Sequence, residues 1–284
     1  MTRERAVILA RGLGTRMREA TDGDLDPMQA QAAQGGAKAM MPIAVPRTGG
    51  QAGTDAGVVN RPFLDYILSA LADAGYTDVC LVVAPDHEAM ARYYRGAGTP
   101  RRLALDFAVQ DEPIGTANAV AAAAAWTGDD PFLVINGDNY YAVRTLASLV
   151  GRAGPATALY RPEALLVQSN IPAERIRAFA LGVVEGGALT RIVEKPTPEQ
   201  AAALGGSALV SMTCWRMPPA IHAACRQVTR SVRGEYELVD AVNALIADGV
   251  RFDVVVAEDG VLDLSRRGDV AAVERALAGV TVAP

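Results

Sequence analysis

The fold of this chain is indicated by one stretch near its start, Val7-Ile8-Leu9-Ala10-Arg11-Gly12-Leu13-Gly14-Thr15-Arg16, where a short apolar strand runs into a glycine-rich turn. Glycines at positions 12 and 14 allow backbone N–H groups to approach anionic oxygens, because no Cβ stands in the way. Arg16 adds a planar set of donors that suits phosphate. By itself the stretch predicts either a phosphate site or a tight turn of an α/β fold.

Outward from this turn, short apolar runs alternate with helical patterns, which predicts βαβ units and a mainly parallel sheet. In the first part we expect strands at 6–10, 78–84, 105–109, 132–136 and 157–160, and helices at 62–74, 87–94, 116–126 and 144–150. Glu185-Gly186-Gly187 then separates two apolar runs and predicts a hairpin, so the later portion should be more antiparallel. There we expect strands at 180–184, 188–194, 208–215, 252–257 and 261–264, and helices at 236–248 and 268–278.

The composition narrows the function classes. The chain has 284 residues, a formal net charge of -5 and 50% hydrophobic residues, yet no apolar run approaches the ~20 residues of a membrane span. No basic cluster is present, which argues against nucleic acid as a partner. Because charged residues at 3–5 lead directly into a strand rather than a leader, we expect a cytoplasmic protein without a membrane partner. The three cysteines, Cys80, Cys214 and Cys225, show no metal-binding spacing and predict buried thiols.

Further segments follow the glycine turn in a fixed order: Lys38 in AKAMMPI, QDEPIGTANA at 110–119, Asn136-Gly137-Asp138, and Glu194-Lys195-Pro196. This series resembles the sugar-1-phosphate nucleotidyltransferases, also called nucleotide-sugar pyrophosphorylases. The resemblance implies a Rossmann-like α/β fold, with a mainly parallel mixed sheet sandwiched by helices, of the nucleotide-diphospho-sugar transferase type. It also implies a single domain, 1–284, with a nucleotide-binding half at about 1–160 and a sugar-binding half at about 161–284.

The activity implied is Mg²⁺-dependent transfer of a nucleotidyl group from a nucleoside triphosphate to a sugar 1-phosphate, with release of pyrophosphate. Both substrates are polyanions, so catalysis needs positioned positive charge. By resemblance, Arg16 and Lys38 contact the triphosphate, and Lys195 contacts the sugar phosphate. A homo-oligomer is compatible with the sequence.

Asp138 is the first candidate metal ligand, because it follows a strand that is apolar throughout, and the carboxyl ends of parallel strands face the ligand crevice. A turn aspartate that caps the next segment is the alternative. The second metal ligand implied by the resemblance is Asp263. Its context, Asp263-Leu264-Ser265-Arg266, departs from the family's Asp-x-Gly-Thr, and Asp269 is expected to cap the last helix.

The remaining candidates contact the nucleotide or the sugar. Base recognition is expected at the backbone of Leu9, Ala10 and Gly12, and at Gln110, Gly115 and Thr116, with Gly14 and Thr15 completing the phosphate turn. Gly182 is expected to let the sugar lie against the backbone, Glu194 to bind its hydroxyls, and Ser211, Met212 and Trp215 to form a wall. Met212 is expected at a position where the family commonly has glycine, which predicts an unusual sugar or a tighter pocket.

Some features leave alternatives open. Arg11 stands where the family has a second glycine, and could select the base, clamp a phosphate or point outward. Residues 19–36 and 47–60 resemble insertions, which we expect to be mobile without ligand; the first could act as a lid, and the second could be a tolerated loop.

A non-catalytic nucleotide-sugar sensor and a nucleotide-sugar-dependent glycosyltransferase remain alternative functions, although the string Asp138-Asn139-Tyr140 lacks the Asp-x-Asp of the latter. A Rossmann dehydrogenase is disfavoured because the third glycine of its fingerprint is missing.

Overall fold

A computed structural model describes residues 3–19, 23–46, 58–205 and 208–284. Its strands are β1 (Arg5–Leu9), β2 (Pro42–Pro46), β3 (Val58–Pro62), β4 (Asp78–Val83), β5 (Ala104–Val109), β6 (Phe132–Asn136), β7 (Asn139–Tyr141), β8 (Ala156–Tyr160), β9 (Ala180–Glu185), β10 (Ala188–Val193), β11 (Leu209–Met217), β12 (Phe252–Ala257) and β13 (Val261–Asp263).

Its helices are α1 (Thr15–Glu19), α2 (Pro27–Gly35), α3 (Phe63–Ala74), α4 (Glu88–Tyr94), α5 (Thr116–Ala122), α6 (Ala124–Thr127), α7 (Val143–Ala147), α8 (Pro162–Gln168), α9 (Ala173–Ile176), α10 (Pro198–Leu204), α11 (Ile221–Gln227), α12 (Leu238–Ala247) and α13 (Val270–Leu277). Short 3₁₀ turns cover Lys38–Met40 and Arg267–Asp269.

The described residues form a central sheet of nine strands in the order β5-β4-β1-β6-β11-β8-β12-β10-β9. The first four strands are parallel to one another, whereas β11 and β10 run antiparallel to their neighbours. The expected mixed α/β sheet and the hairpin between β9 and β10 are therefore confirmed. Two separate pairs, β2 with β3 and β7 with β13, lie outside this sheet.

The sheet carries a hydrophobic core on each face. In β1, Ala6 and Ile8 belong to one core and Val7 belongs to the other, as the two-residue period of a strand requires. Since helices cover both faces, the inner parallel strands β1, β4 and β6 are buried and read as continuous apolar runs, whereas β5 lies at the edge of the sheet. This is why the sequence identified them directly.

The chain order places a crevice at the ends of β1 and β6. From β1 the chain proceeds to β4 and β5 on one side, and then returns to β6 on the other side. Leu9 is paired with Asn136, and the Gly137 N–H donates to the Leu9 carbonyl over 2.9 Å. Ligands of open α/β sheets bind at such a switch point, beyond the carboxyl ends of the strands.

Part of the expected insertion at 19–36 forms helix α2, and its role as a lid stays a prediction. Asp26 caps α2, and its carboxylate and Gln29 form a reciprocal capping box. The Gln29 amide donates to the Pro42 carbonyl over 3.1 Å and to Glu274 over 2.7 Å, so α2 is anchored to the body of the protein. The second insertion, 47–60, lies outside the described residues as far as position 57; from Val58 the chain forms β3.

The proposed division near residue 160 does not separate two sheets. β11 lies between β6 and β8, and β12 pairs with β8. The two halves therefore share one continuous sheet, and the boundary remains a prediction about which ligand each half contacts.

Candidate functional site

One cavity of about 540 Å³ lies at the carboxyl ends of β1 and β6. The candidate residues predicted from sequence line it, apart from Ala10, Gly182 and Met212: Leu9, Arg11, Gly12, Gly14, Thr15, Arg16, Lys38, Gln110, Gly115, Thr116, Asp138, Glu194, Lys195, Ser211, Trp215 and Asp263. These residues come from seven separate parts of the chain, from the first strand to the last strand, so only the fold brings them together.

The glycine turn lies against the segment that carries Lys38. Gly14 has a φ of +63°, and a Cβ there would meet the Gly36 carbonyl oxygen at 2.3 Å. By contrast, a Cβ at Gly12 would find nothing within 4 Å, so Gly12 leaves open space at the cavity. Lys38 begins the 3₁₀ turn just after Gly36. The contact between the two glycines thus sets the distance between the turn and the lysine.

Lys38 and Asp138 form an ion pair inside the cavity. The Lys38 ammonium lies 2.9 Å from Oδ2 of Asp138, and the two side chains are 18% and 28% exposed. Asp138 follows β6 and the glycine that packs on β1, which places its carboxylate at the switch point. Each group neutralises the other while both remain accessible to a ligand.

Asp263 is held by a denser network. Its Oδ1 contacts the Arg175 guanidinium, and its Oδ2 accepts from the Asn139 amide over 3.2 Å. Its backbone exchanges two hydrogen bonds of 2.8 Å with the Asn170 side chain. Burial raises the pKa of Asp263, the charge of Asp138 raises it further, and Arg175 lowers it.

The two aspartates fit a magnesium ion that arrives with phosphate. Among the described residues, no group of three or more histidine, cysteine, aspartate or glutamate side chains is gathered as a metal cage. Mg²⁺ commonly takes one or two protein carboxylates and completes its shell with phosphate oxygens and water. Asp138 and Asp263 both line the cavity, and the charge of one shifts the pKa of the other. This donor set is sufficient for such an ion and not for a cage built by the protein alone.

The wall of the cavity where the sequence predicts base recognition is built around Gln110. Its Nε2 donates to the Gly115 carbonyl over 3.1 Å and to Asn118 over 2.9 Å. A carbonyl oxygen only accepts, so this bond fixes the orientation of the amide. Both amide hydrogens are therefore engaged, and Oε1 is the atom left to accept from a ligand. Gly115 has a φ of +131°, and a Cβ there would meet the Tyr236 backbone at 2.3 Å.

Arg11 supports this wall. Its Nε donates to the Gln110 carbonyl over 3.0 Å, and its Nη2 donates to the Asp111 carbonyl over 3.1 Å. Arg11 therefore points to the segment that carries Gln110, and two of its donors are used by the fold. The Thr116 hydroxyl similarly accepts from the Leu238 N–H over 2.9 Å and ties α5 to α12.

The opposite wall carries Glu194, Lys195 and a residue that the sequence analysis missed, Arg233. The Arg233 guanidinium lies 3.5 Å from Glu194 and 2.5 Å from Glu237. Burial raises the pKa of Glu194, Arg233 lowers it, and the nearby carboxylates Glu237, Asp240 and Glu235 raise it. Glu235 and Glu237 follow Arg233 closely in the sequence, whereas Glu194 reaches it only in the fold, so local sequence did not mark Arg233 as part of this wall.

The backbone is strained at two points of this cavity. Among the described non-glycine residues, positive φ occurs at Lys195 (41°) and Thr213 (56°), and both line the cavity. A β-branched residue in this region is an outlier, and such strain tends to lie at functional sites. The buried Tyr141 hydroxyl donates to the carbonyls of Met212 and Thr213, over 2.6 and 3.2 Å, and stabilises the irregular stretch of β11.

This geometry corrects the expectation for Met212. Its side chain is buried in the hydrophobic core, away from the cavity. The left-handed conformation that glycine favours occurs one position later, at Thr213. Ser211, Thr213 and Trp215 form the wall instead.

Two expected contacts do not lie at the cavity. A Cβ at Gly182 would meet Leu159 at 2.6 Å and Leu189 at 3.0 Å, so this glycine allows core packing in β9. The Ala10 N–H donates to the Val82 carbonyl over 2.9 Å and is already used by the fold. Both expectations came from motif position, which does not show which side of a strand faces the ligand.

The distribution of lysine is unusual. The chain contains only two lysines, Lys38 and Lys195, and all the remaining residues of its Lys and Arg total are arginines. Both lysines line the cavity. The compact ammonium group is thus confined to the site where two anionic substrates are expected.

Comparisons with known proteins identify the family of this chain. A family model described as nucleotidyl transferase matches residues 54–264. A glucose-1-phosphate thymidylyltransferase of Streptomyces griseus is 30% identical over 249 residues, which cover 86% of this chain and 58% of that protein. A UTP–glucose-1-phosphate uridylyltransferase of Bacillus subtilis, YngB, is 25% identical over 284 residues, which cover 88% of this chain and 84% of that protein. The chain thus spans little more than half the length of the thymidylyltransferase.

A solved structure of UDP-glucose pyrophosphorylase from Acinetobacter baumannii matches with a TM-score of 0.71 and 17% identity, over 99% of this chain and 96% of that one. This likeness confirms the fold. The chain belongs to the nucleotidyl transferase family and, within it, to the sugar-1-phosphate nucleotidyltransferases that its sequence resembles. In the part of the chain that the structure describes, no helix is long and apolar enough to cross a membrane.

Proposed function

We propose that this protein transfers a nucleotidyl group from a nucleoside triphosphate to a hexose 1-phosphate and releases pyrophosphate. The observation that carries this proposal is the arrangement of charge in one cavity. The glycine turn, Arg16 and the Lys38–Asp138 pair lie on one side, and Glu194, Lys195 and Arg233 lie on the other. Two polyanionic substrates could meet between these cations.

In the proposed reaction, a phosphate oxygen of the sugar phosphate attacks the α-phosphorus of the triphosphate. A P–O bond forms there, and the bond between the α-phosphorus and the bridging oxygen breaks, so that pyrophosphate leaves with its electron pair. The attacking oxygen is already ionised near neutral pH, and therefore no protein base is required. The protein contributes alignment and positive charge.

Individual residues have distinct parts in this scheme. Arg16 and Lys38 hold the triphosphate, while Lys195 and Arg233 hold the sugar phosphate in line with it. Glu194 accepts hydrogen bonds from sugar hydroxyls. A magnesium ion held by Asp138 and Asp263 would neutralise phosphate oxygens and polarise the α-phosphate.

The base is proposed to be uracil or thymine. Gln110 offers Oε1 as an acceptor once both its amide hydrogens are engaged. An imide N–H of uracil or thymine can donate to this oxygen, as can the N1–H of guanine, whereas the corresponding ring nitrogens of cytosine and adenine are acceptors. Two relatives, a thymidylyltransferase and a uridylyltransferase, favour uracil and thymine over guanine.

The two lysines make the proposal directly testable by amine labelling. We would treat the protein with an acylating reagent and follow each lysine by mass spectrometry, with the N-terminal amine as internal reference. UTP with Mg²⁺ should protect Lys38, and glucose 1-phosphate should protect Lys195. Lys38→Arg and Lys195→Arg proteins serve as matched controls for peak assignment. Labelling of both lysines at unchanged rates under saturating ligands would contradict the proposed substrate sites.

A further inference from the structure

Arg175 forms a buried bridge behind the candidate metal ligands. Its guanidinium contacts Oδ1 of Asp263 and lies 2.9 Å from Oδ1 of Asp269. The side chains of Arg175, Asp263 and Asp269 are 13%, 7% and 10% exposed. Among the described residues that line the cavity, Asp263 is present and Arg175 is absent. The arginine therefore acts on the cavity only through the carboxylate in front of it.

Asp263 does not depend on Arg175 for its position. The Asn170 side chain fixes its backbone through two hydrogen bonds of 2.8 Å, and β13 pairs with β7 at the same residue. The Asn139 amide orients its second carboxylate oxygen over 3.2 Å. What Arg175 adds to this framework is a positive charge.

The positive charge of Arg175 beside Asp263 is held more firmly than the positive charge of Lys38 beside Asp138. Lys38 has one carboxylate partner, Asp138, and lines the cavity, so it can move to a phosphate oxygen when a ligand arrives. Arg175 is buried and held by two carboxylates at once, and its planar fork suits such a bridge. Its charge therefore stays on Asp263 throughout the reaction cycle.

We propose that Arg175 is a positioning residue that weakens divalent-cation binding by the substrate-free protein, so that the cation binds together with the triphosphate. The inference rests on the proposed function. Asp138 and Asp263 would bind a divalent cation strongly if neither had a positively charged partner. Two carboxylates of like charge repel each other, and a cation between them removes this repulsion. With Asp263 neutralised from behind, phosphate oxygens become necessary to complete the site.

The test measures Mn²⁺ binding by electron paramagnetic resonance, without substrate and with UTP. Arg175→Gln should tighten Mn²⁺ binding to the substrate-free protein by about tenfold, because Asp263 loses its partner charge. Arg175→Lys keeps the charge and should bind Mn²⁺ as the parent protein does. Asp269→Asn should weaken Mn²⁺ binding, because the whole charge of Arg175 then falls on Asp263.

Arg175→Gln and Asp269→Asn are expected to change the Mn²⁺ affinity in opposite directions, which distinguishes the proposed role of Arg175 from a purely structural one. If Arg175 only ordered Asp263, both Arg175→Gln and Asp269→Asn would weaken Mn²⁺ binding, and that result would overturn the proposal. Thermal unfolding of each variant identifies one that fails to fold, and the two remaining variants still test the direction. A parent protein that releases no pyrophosphate with any substrate pair would defeat the proposed function, whereas the order of Mn²⁺ affinities is measured independently of turnover.

Discussion

The Lys38 ammonium lies 2.9 Å from Oδ2 of Asp138, although 100 residues separate them in the chain. The residue proposed to hold phosphate and the residue proposed to hold the metal are thus each other's partner before substrates bind. A Mg²⁺–triphosphate complex can satisfy both, because its metal takes the carboxylate and its phosphate takes the ammonium. The pair therefore preorganises two charges without requiring a ligand.

Asp138→Ala should lower kcat by about a thousandfold at saturating Mg²⁺, since a preorganised charge at the reacting phosphate is lost. Pyrophosphate release gives the rate, and circular dichroism establishes that the protein is folded. The control is Asp253→Ala, which removes an exposed ion pair with Arg251 far from the cavity and should leave kcat unchanged. An Asp138→Ala protein with near-parent turnover would exclude the metal role.

Arg11→Ala should raise the KM for the nucleoside triphosphate by about tenfold and leave the KM for the sugar phosphate unchanged. The guanidinium supports the carbonyls of Gln110 and Asp111, so its loss loosens the wall that faces the base. Initial rates with each substrate varied in turn separate the two constants. Arg11→Lys should recover little, because one ammonium does not reproduce the planar fork. Equal changes in both KM values would point to general disruption of the cavity.

The sequence predicted those parts of the fold that carry local signals. The strands β1, β4 and β6 are continuous apolar runs because both faces of the sheet are covered, and a two-glycine turn marked the β9–β10 hairpin. Helix α2 was missed because its composition resembles a loop. Its start, Asp26-Pro27-Met28-Gln29, nevertheless contains a recognisable N-cap, a proline in the first turn and a capping glutamine.

The parts of the site that depend on long-range packing could not be predicted in this way. Arg233 becomes a cavity residue because the fold brings Glu194, from a distant part of the chain, to the guanidinium that also pairs with the nearby Glu237. The left-handed backbone at Thr213 is not a threonine preference; it is imposed by the irregular pairing of β11 and by the Tyr141 hydroxyl. Motif position likewise assigned Gly182 to the sugar, whereas the fold turns it towards leucines of the core.

Thr213→Gly should stabilise the protein by about 1 kcal/mol, because relief of the strained conformation exceeds the entropic cost of glycine. Thermal denaturation should show a higher Tm. Thr213→Ala keeps a Cβ in the same conformation and should give much less stabilisation. Since Thr213 lines the cavity, the glycine variant should also accept sugar 1-phosphates with an added N-acetyl group. An unchanged Tm would show that the backbone conformation is not strained.

Glu194→Gln should alter the pH dependence of sugar-phosphate use. Burial raises the pKa of Glu194 above the ordinary value of 4.5, so its carboxylate is lost on acidification earlier than an exposed glutamate would be. The KM for the sugar phosphate of the parent protein should therefore rise as pH falls towards that raised pKa, and the variant should show a flatter profile. Because both proteins share the titration of the substrate itself, the difference between the two profiles isolates Glu194.

The same shift has a defined sign for stability. The folded protein disfavours the charged form of Glu194. This carboxyl group therefore lowers the free energy of unfolding above pH 4.5, and the loss grows with pH until the pH exceeds the raised pKa. Glu194→Gln should consequently have a higher Tm than the parent at neutral pH, and the difference should disappear in acid. A lower Tm for the variant at neutral pH would mean that the attraction of Arg233 outweighs burial.

The most direct experiment measures pyrophosphate release with Mg²⁺ for UTP, dTTP, ATP, GTP and CTP, each combined with the 1-phosphates of glucose, galactose, mannose and N-acetylglucosamine. The charge arrangement of the cavity and the acceptor on Gln110 predict release with UTP or dTTP and one hexose 1-phosphate, well above all other pairs, and its loss in Asp138→Ala. Tight binding of a nucleotide sugar without pyrophosphate release from any pair would contradict a transferase and indicate a sensor.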